Sequence, residues 1–514
     1  MFLILGIAAV VLFLLYIYGT SNFDHWEKRG VIYEKPIPYF GNFMPVYLQQ
    51  ISSAEFFQNL YRKYPNEKYV GMFLATKPTL VIRDPELIKN ILSTDFYHFY
   101  SRAILPHRTV IEPVLRNLFF AEGDLWRLLR QRMTPAFTTS KLKAMFPLIV
   151  STAEKLQGLA ADAARTGAEV DVRDLMARFT TDFIGIVGFG VEGDAINDEN
   201  SIFRQMGKRI FTITKTDALR NMAKMMFPNL FKDLKFFVPM IEDNIMAIMK
   251  SVMKDRNFKP SGRNDFIDLL MDLKQKGKIS VESIEHRNED GTAARAELEL
   301  DDFIMVGQLF LFFAAGFETS SSATSFTLHQ LAFHPEAQRR CHEEIDEVLS
   351  LYDNKLCYDA ITEMKYLEMC FKEGMRIFPS LGFLKRRCEK AYKVPDSDLV
   401  IEKDVNIIIP VQALQNDEKH FEEPENFIPE RFHPDNVTFH KYAYLPFGLG
   451  PRACIGERLG HMQSLAGLAA LLSNFSLEPS KNSLRHPISN PTATVTQSIL
   501  NGLPLKLVER KKNL

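Results

Sequence analysis

Cysteine is scarce in this sequence, and its spacing fits neither a disulfide framework nor a structural zinc site. The 514 residues contain five cysteines. They are Cys341, Cys357, Cys370, Cys388 and Cys454. An odd count without a C-x-x-C pair argues against both kinds of site. We therefore expect a reducing environment, such as the cytosolic side of a membrane, and expect most of these cysteines to be buried and inert.

Net charge and tryptophan are also low. The net charge is −1, so no global field attracts nucleic acid, and we predict no nucleic-acid partner. The sequence has no visible repeat or low-complexity tract, and no G-x-G-x-x-G motif follows a predicted strand, so no dinucleotide site is predicted. The sequence contains two Trp but 41 Phe and 20 Met. That mix fits either a large core or an adaptable apolar pocket.

A charge-free apolar run occupies residues 2–18, and the first charged residue is Asp24. With its flanks, the run is long enough to span a bilayer. A cleaved secretory signal would carry basic residues before the run and a small-residue cleavage site after it. The basic residues Lys28, Arg29 and Lys35 follow instead. We expect a retained anchor over residues 1–20 with the body of the chain in the cytosol, and no mitochondrial leader.

The remaining chain is predicted to be mainly α with a minor β portion. Residues 21–42 read as a linker, with a stiff proline-bearing hinge at 35–42. Apolar residues recur with helical spacing over much of the chain from residue 125 onward. Strand signals occur at 69–82, 392–411 and 493–508. The charged, glycine-bearing stretch 256–299 is expected to be an exposed loop.

One long proline-free segment, Asp301–His334, is predicted to be a buried helix because its first half is apolar nearly all round. In its middle, Gly316 is a poor helix former, and Glu318 and Thr319 are polar residues in a segment that is expected to be buried. Two interpretations are open. In the first, the helix is kinked and the Thr319 hydroxyl donates to a backbone carbonyl. In the second, Gly316 widens a groove beside a ligand, and Glu318 and Thr319 handle protons there.

A glycine-rich loop, "PFGLGPRACIGERLG" at residues 446–460, carries Cys454 just before an apolar-faced helix. Loop amides and the helix dipole would favour its thiolate. A single thiolate without protein co-ligands indicates a metal whose other ligands belong to a macrocycle, as in haem. A nucleophilic cysteine is the alternative, but it needs a histidine base that His461 does not clearly supply.

The pattern F-x-x-G-x-R-x-C-x-G resembles the haem-thiolate loop of the cytochrome P-450 superfamily. It is carried by Phe447, Gly450, Arg452, Cys454 and Gly456. Further stretches resemble family motifs in the expected order: W-x-x-x-R at Trp126 and Arg130, A-G-F-E-T at 315–319, E-x-x-R at Glu373 and Arg376, and P-E-R-F with Arg431. The resemblance covers nearly the whole chain and is nearest to microsomal, insect-type oxidisers of foreign compounds.

The resemblance implies haem b with Cys454 as the axial iron ligand, donating electron density that favours O–O cleavage. Phe447 and Gly456 would lie beside the sulfur. Haem propionates would be held by Trp126, Arg130 and Arg452, with Arg386 and Arg102 as further donors. Thr319 and Glu318 would be catalytic, and Glu373, Arg376 and Arg431 would form a structural charge network. Two departures concern the haem support: Gln415 replaces a common histidine, and R-L-G at 458–460 replaces R-F-A.

The implied activity is a monooxygenase acting on hydrophobic small molecules, such as plant toxins, insecticides or endogenous lipophiles. Residues 43–514 would form the haem domain, with a pocket roofed by 102–120, 203–240 and 377–385. Electrons would come from NADPH through a flavoprotein reductase, with cytochrome b5 as a further candidate partner. The implied location is the endoplasmic reticulum membrane, with the catalytic domain facing the cytosol and in contact with lipid. The reductase would dock near Arg127, Arg132 and Arg458.

Two alternative functions stay open at this point. A haem-thiolate isomerase or dehydratase acting on peroxides needs no reductase, but the Glu318–Thr319 pair weighs against it. A membrane-tethered haem or gas sensor needs no large apolar body.

Overall fold

The computed structural model describes residues 2–105, 112–198, 200–263, 265–493 and 495–511. About 52% of it is helical, and the prediction of a mainly α fold with a minor β portion is confirmed. The helices are α1 Phe2–Thr20, α2 Met44–Tyr47, α3 Ser53–Lys63, α4 Pro85–Lys89, α5 Gly123–Met133, α6 Thr139–Thr166, α7 Val172–Ile184, α8 Ile202–Phe211, α9 Lys215–Met226, α10 Pro239–Asp255, α11 Phe266–Gln275, α12 Asp302–Phe333, α13 Pro335–Ser350, α14 Tyr358–Glu363, α15 Lys365–Ile377, α16 Val411–Gln415 and α17 Glu457–Asn474.

The strands are short and belong to four small sheets. They are β1 Tyr69–Leu74, β2 Lys77–Ile82, β3 Glu169–Asp171, β4 Ile279–Arg287, β5 Ala293–Leu298, β6 Leu384–Arg387, β7 Tyr392–Lys393, β8 Val400–Ile401, β9 Asn406–Ile409, β10 Phe475–Pro479 and β11 Pro504–Glu509. Short 3-10 or π turns lie at Glu27–Arg29, Asn90–Thr94, Phe96–His98, Pro113–Leu115, Thr134–Phe137, Gly185–Phe189, Pro429–Phe432, Pro434–Asn436 and Lys441–Ala443.

Helix α12 is the central element of the fold. Its N-cap is Asp301, whose carboxylate accepts a hydrogen bond from the Ile304 amide at 2.7 Å. The helix packs against α7, α15 and α17, and most of its side chains are buried on every face. The burial predicted from its all-round apolar character is therefore observed.

The largest sheet has the strand order β1-β2-β9-β6. Strand β9 runs parallel to β2 and antiparallel to β6. In this register Arg386 of β6 stands opposite Ile407 of β9. The sheet thereby fixes one of the arginines that the sequence predicts to contact haem.

The amino-terminal helix and the segment after it are packed differently. Helix α1 is long and apolar enough to cross a membrane and is almost entirely exposed. Helix α12 is also long and apolar enough to cross a membrane, but it is mostly buried within the fold. After α1, the Trp26 ring is fully buried and its Nε1 donates to the Met72 carbonyl at 2.9 Å. The segment predicted as a linker therefore lies against β1.

Residues 256–299 are structured, so the expectation of an exposed loop is wrong. They contain α11 and the antiparallel hairpin β4–β5. Asp124 of α5 holds this hairpin: its carboxylate accepts from the Ile284 amide and the Ser283 hydroxyl, each at 2.7 Å. The many charged side chains of the segment face outward and obscure the alternation of buried residues in β4.

Candidate active site

The cysteine loop is a tight turn that delivers Cys454 to the start of α17. Gly448 and Gly450 have φ values of 66° and 78°, which favour glycine. A Cβ at Gly450 would lie 1.8 Å from the Leu92 carbonyl oxygen. The Cys454 amide donates to the Phe447 carbonyl at 2.8 Å. This bond holds the two predicted haem-contact residues side by side.

The sulfur of Cys454 borders a central cavity. Burial raises the pKa of Cys454, whereas the Gly456 amide and the cations Arg102 and Arg130 act in the opposite direction. The Gly456 amide acts in the direction that the sequence predicts for the loop amides, but desolvation is the larger effect. A bound metal deprotonates a coordinating thiol.

The space beside the sulfur is open on the Gly456 side. A Cβ added at Gly456 would approach the described residues no more closely than 3.8 Å, at Phe137, and would lie 4.0 Å from the Cys454 sulfur. Together with the bordering cavity, this space gives a flat ligand room to approach the sulfur.

Four arginines surround the cavity near this sulfur, and among the described residues their hydrogen bonds reach only backbone carbonyls. Arg102 donates to Phe119 and Arg452 carbonyls, Arg130 to Ala453, Arg386 to Lys385, and Arg452 to Ala121, all at 2.8–3.1 Å. Three buried nitrogens have no hydrogen-bond partner within the described part of the chain: Nε of Arg386, and Nε and Nη1 of Arg452. The Arg452 guanidinium also lies 4.4 Å from the Trp126 ring centroid.

Burial disfavours the charges of this cluster. Burial lowers the pKa of Arg386 to about 9 and that of Arg102 to about 10. Burial also lowers the pKa of Arg452 strongly, and the neighbouring guanidiniums add to the effect. The nearby carboxylate of Glu122 accepts from the Ala103 amide and from Arg387, each at 2.8 Å. Four converging cations that make no hydrogen bond to a carboxylate among the described residues fit a dianionic group, such as the two propionates of haem.

The predicted structural network is hydrogen-bonded, with Glu373 and Arg376 fully buried and the Arg431 side chain 11% exposed. Arg376 donates to the Glu373 carboxylate through Nε at 2.8 Å and Nη2 at 2.9 Å, and neither side chain is exposed. Arg431 reaches the same carboxylate at 3.3 Å. The remaining Arg376 donors reach the carbonyls of Gln415, Pro424 and Asn426. The structure brings together the three residues that the sequence assigned to this network.

Gln415, the departure from the family pattern, makes three hydrogen bonds in the core. Its Nε2 donates to the carbonyls of Met375 and Arg376 at 2.9 and 3.0 Å. Its Oε1 accepts from the Leu445 amide at 2.8 Å. The glutamine thereby ties the end of α15 to the segment that leads into the cysteine loop.

The Gly316–Thr319 stretch lies in an uninterrupted helix. Thr319 Oγ1 donates to the Ala315 carbonyl at 2.5 Å, as the helix-kink interpretation expected, but without a break in α12. A Cβ at Gly316 would lie 2.2 Å from Ile184 of α7, so the missing side chain allows α7 to pack closely here, while Gly316 and Thr319 also border the central cavity. The buried carboxylate of Glu318 pairs with Arg173 of α7. Arg173 could not be found from the sequence, because no spacing links it to α12.

The central cavity has a volume of about 850 Å³. Phenylalanines from several elements line it, among them Phe119, Phe237, Phe310 and Phe317. The predicted roof segments 102–120, 203–240 and 377–385 all contribute, although residues 106–111 lie outside the described residues. Two further wall segments, 43–57 and 490–498, were missed because neither carries a chemical motif.

Two of the three cations proposed for reductase docking are held by the β4–β5 hairpin. Arg127 lies 3.6 Å from Glu282, and Arg132 donates to the Ser280 carbonyl at 3.0 Å. Arg458 is exposed and donates to Thr139 Oγ1 at 3.2 Å. Any docking surface on this side therefore includes the hairpin.

A family model described as cytochrome P450 matches residues 33–504. The chain belongs to the cytochrome P450 family. It is similar to insect proteins over nearly its full length. It is 36% identical to cytochrome P450 6B2 of Helicoverpa armigera, over 98% of each chain. It is 34% identical to cytochrome P450 6k1 of Blattella germanica, covering 98% of this chain and 97% of the relative, and 35% identical to cytochrome P450 6a2 of Drosophila melanogaster, over 99% of each.

Family membership confirms the predicted resemblance and makes the chain a P450 monooxygenase with a haem iron cofactor. The space beside Gly456 and the arginine nitrogens without a described partner are compatible with bound haem. The roles of the individual site residues are proposals that follow from these positions.

Proposed function

We propose that this P450 inserts one oxygen atom from O2 into hydrophobic small molecules, such as plant toxins, insecticides or endogenous lipophiles. The observation that carries the proposal is that Cys454 borders an apolar cavity of about 850 Å³, near buried nitrogens of Arg386 and Arg452 that have no partner among the described residues. A cavity of this size suits a drug-sized lipophile. Haem, when bound, supplies the oxygen chemistry, and the protein supplies ligand, shape and protons.

The cofactor would be haem b held from two sides. Cys454 would ligate the iron, with Phe447 and Gly456 beside the sulfur. Arg102, Arg130, Arg386 and Arg452, with Trp126 beneath Arg452, would hold the propionates through charge-assisted hydrogen bonds. The free Arg386 and Arg452 nitrogens supply donors for this purpose without breaking any existing bond.

Thr319 and Glu318 would handle protons for oxygen activation. Thr319 borders the cavity, and its Oγ1 proton is directed to the Ala315 carbonyl, so a rotation of the hydroxyl frees it to donate into the cavity. Glu318 is held by Arg173, whose side chain is 27% exposed. Breaking that pair would connect the carboxylate to solvent, and general acid groups of this kind contribute about 10²–10⁴-fold to rate.

Electrons would come from NADPH through a separate flavoprotein reductase, with cytochrome b5 as a further donor. The spacing G-x-G-x-x-G does occur at residues 188–193. It follows α7 and its π turn instead of a strand, so it does not form a dinucleotide site. An external donor is therefore part of the proposal.

The protein would lie on the endoplasmic reticulum membrane, anchored by residues 1–20, with residues 43–514 facing the cytosol. Tyr18 at the end of α1 stacks on Phe227 with ring centroids 5.7 Å apart. Leu219 and Leu230 are exposed nearby, at 62% and 74%. Exposed apolar residues adjoining an anchor favour contact with the lipid interface.

The test combines two measurements on the purified, haem-loaded chain. The reduced protein with carbon monoxide should show the red-shifted band of a thiolate-ligated haem. With NADPH and a P450 reductase, it should then transfer one atom of labelled O2 to a lipophilic substrate. Reductase-independent conversion of an organic peroxide without oxygen uptake would instead indicate an isomerase or dehydratase. Gas binding without any turnover would indicate a sensor.

A further inference from the structure

The cavity wall contains a further cation that the proposed haem contacts do not include. Lys385 lies in β6, is half-buried and borders the central cavity. It directly precedes Arg386, and neighbouring residues of a strand point to opposite faces of a sheet. Arg386 stands opposite Ile407 of β9, whereas Lys385 stands opposite Ile408. The Lys385 side chain therefore leaves the sheet on the other face from the arginine that we assign to the propionates.

The surroundings of Lys385 on this face are apolar. Ile408 packs with Phe57 of α3 and Leu74 of β1, and all three residues border the cavity. The Phe57 ring centroid lies 4.8 Å from that of Phe383, which lies two residues before Lys385 and also borders the cavity. We call the part of the cavity that is bounded by these four apolar residues and Lys385 the α3 arm.

The Lys385 ammonium group has no partner within the described part of the chain: no oxygen accepts a hydrogen bond from it, and no acid forms an ion pair with it. Glu122 attracts it electrostatically. The Glu122 carboxylate, however, accepts from the Ala103 amide and from Arg387, each at 2.8 Å. Arg387 also pairs with Glu389 at 2.7 Å. The acids near Lys385 are thus held by other donors.

Burial lowers the pKa of Lys385 to about 7, and the cations Lys77 and Arg387 add to this effect, whereas Glu122 opposes it. A lysine that serves the fold is bound differently: Lys224 is 3% exposed and donates to the Leu234 carbonyl. An ammonium group inside an apolar cavity is costly unless an anion or an acceptor pairs with it. The anion that is missing at Lys385 can be supplied by a ligand in the cavity.

We propose that the α3 arm binds lipophilic carboxylates, with the carboxylate of the ligand at Lys385 and its apolar part along Phe57, Leu74 and Ile408. This inference rests on the proposed function in taking the cavity to be the ligand site, and it adds a class of acids to the proposed substrates. A wholly apolar cavity would reject such acids, because burying an unpaired carboxylate is costly. Lys385 is a specificity-determining residue here.

Lys385→Met tests the site by removing the charge from an unbranched side chain. The variant should fold, because it loses a cation that has no described partner. The probes are dodecanoate and dodecanol, which have the same chain length and differ in charge. In the haem-loaded protein at about pH 6.5, the dissociation constant of dodecanoate should rise about 10–100-fold, as for loss of a hydrogen bond between charged groups. That of dodecanol should change less than about 3-fold, since it makes no ion pair.

The pH dependence separates a direct contact from a change in cavity shape. In wild type, the affinity for dodecanoate should fall as the pH rises above about 7, because the ammonium group loses its proton. The charged groups that act on this ammonium are Lys77, Arg387 and Glu122. Lys385→Arg keeps its charge over this range, so its affinity for dodecanoate should stay high and vary little with pH.

Proton uptake gives a readout that needs no turnover. Dodecanoate that binds to wild type at about pH 7.5 should cause proton uptake, because a bound carboxylate raises the pKa of a neighbouring ammonium group. Calorimetry in buffers of different ionisation enthalpy measures this uptake. It should be absent when dodecanol binds to wild type, and absent for both probes in Lys385→Met and Lys385→Arg.

Lys393→Met is the matched control. It removes a lysine from another strand, β7, where the side chain is 58% exposed and faces Asp398 at 3.5 Å. Both probes should bind to this variant as they bind to wild type, with the same proton uptake. A loss of dodecanoate affinity here as large as in Lys385→Met would mean that any lysine attracts the probe, and would overturn the proposal.

Two further results would overturn it. One is wild-type dodecanoate binding in Lys385→Met, or an equal loss of affinity for dodecanoate and dodecanol. The other is faster haem transfer from Lys385→Met to apomyoglobin, which would assign the lysine to a propionate. A protein that binds dodecanoate as predicted but never oxygenates a substrate would refute the proposed function and leave the carboxylate site intact.

Discussion

The chain buries two groups of arginines, and they differ in what surrounds them. Arg376 is fully buried, and its guanidinium nitrogens donate to the Glu373 carboxylate and to backbone carbonyls. Arg386 and Arg452 are also buried, but each keeps a nitrogen without a partner, and burial depresses the pKa of both. The orphan nitrogens alone do not distinguish the two groups, since Nε of the buried Arg83 and Arg204 also lacks a described partner. What distinguishes Arg386 and Arg452 is that they combine such nitrogens with a position on the cavity beside Cys454 and with the absence of a carboxylate among their described hydrogen-bond partners.

The largest expected effect is at the satisfied arginine. Arg376→Leu leaves the buried Glu373 carboxylate with the Ile428 amide at 2.9 Å and Arg431 at 3.3 Å as its described partners, and should lower the free energy of unfolding by about 3–5 kcal/mol. Little folded protein should be recovered, and what is recovered should carry no haem. Soluble yield and thermal unfolding of the apoprotein measure this. Normal stability of the apoprotein would mean that the network is dispensable to the fold.

Thr319 tests whether a polar group that already has a hydrogen-bond partner can also be functional. Its hydroxyl donates to the Ala315 carbonyl, and we nevertheless propose that it handles protons. Thr319→Ala should keep ligand binding and the carbon monoxide band but reduce product formed per NADPH, within the 10²–10⁴-fold range typical of acid–base groups. Released hydrogen peroxide should rise, and added peroxide should restore part of the activity.

The control for this prediction is Thr324→Ala on the same helix, whose hydroxyl likewise bonds back, to the Ser320 carbonyl at 2.7 Å. It should leave the ratio of product to NADPH unchanged. If Thr319→Ala behaves like Thr324→Ala, Thr319 is only a helix residue.

Arg386→Leu should have effects of opposite sign on stability and on cofactor retention. Removing an unpaired buried cation should raise the unfolding free energy of the apoprotein by about 1 kcal/mol. Haem should be lost to apomyoglobin about 10–100-fold faster, because a charge-assisted contact to a propionate is missing. Arg339→Leu, a substitution on the exposed face of α13, should change neither quantity. A destabilised apoprotein with normal haem retention would place Arg386 with the structural arginines.

The smallest effect is expected from removing the exposed apolar helix. Deleting residues 1–24 removes α1 but keeps Trp26, which is buried against β1. Haem binding should be unchanged, and membrane sedimentation should become incomplete, with residual binding through residues 222–237. Loss of haem binding in well-expressed truncated protein would make α1 part of the fold.

The sequence anticipates some of this site and misses the rest, for physical reasons. Cys454, Glu373 and Arg376 carry motif chemistry at fixed local spacing, so they could be named in advance. Arg173, the partner of Glu318, is brought into place by packing of distant segments, which no local pattern encodes.

One expectation is wrong because charge dominates the local pattern: residues 256–299 predict a loop, whereas β4 buries residues of its hairpin against α5. At Gly316, the sequence cannot specify that Ile184 of α7 packs against the missing side chain. Both outcomes depend on what lies opposite a residue across the fold.

The most direct test of the account is the reduced carbon monoxide spectrum of Cys454→Ser beside that of the wild-type protein. The account predicts that wild type shows the red-shifted band of a thiolate-ligated haem, and that the serine variant loses this band together with its turnover. The arginine cluster is intact in the variant, so some haem should still be retained. A Cys454→Ser protein that keeps both the band and the turnover would contradict the assignment of Cys454 as the iron ligand.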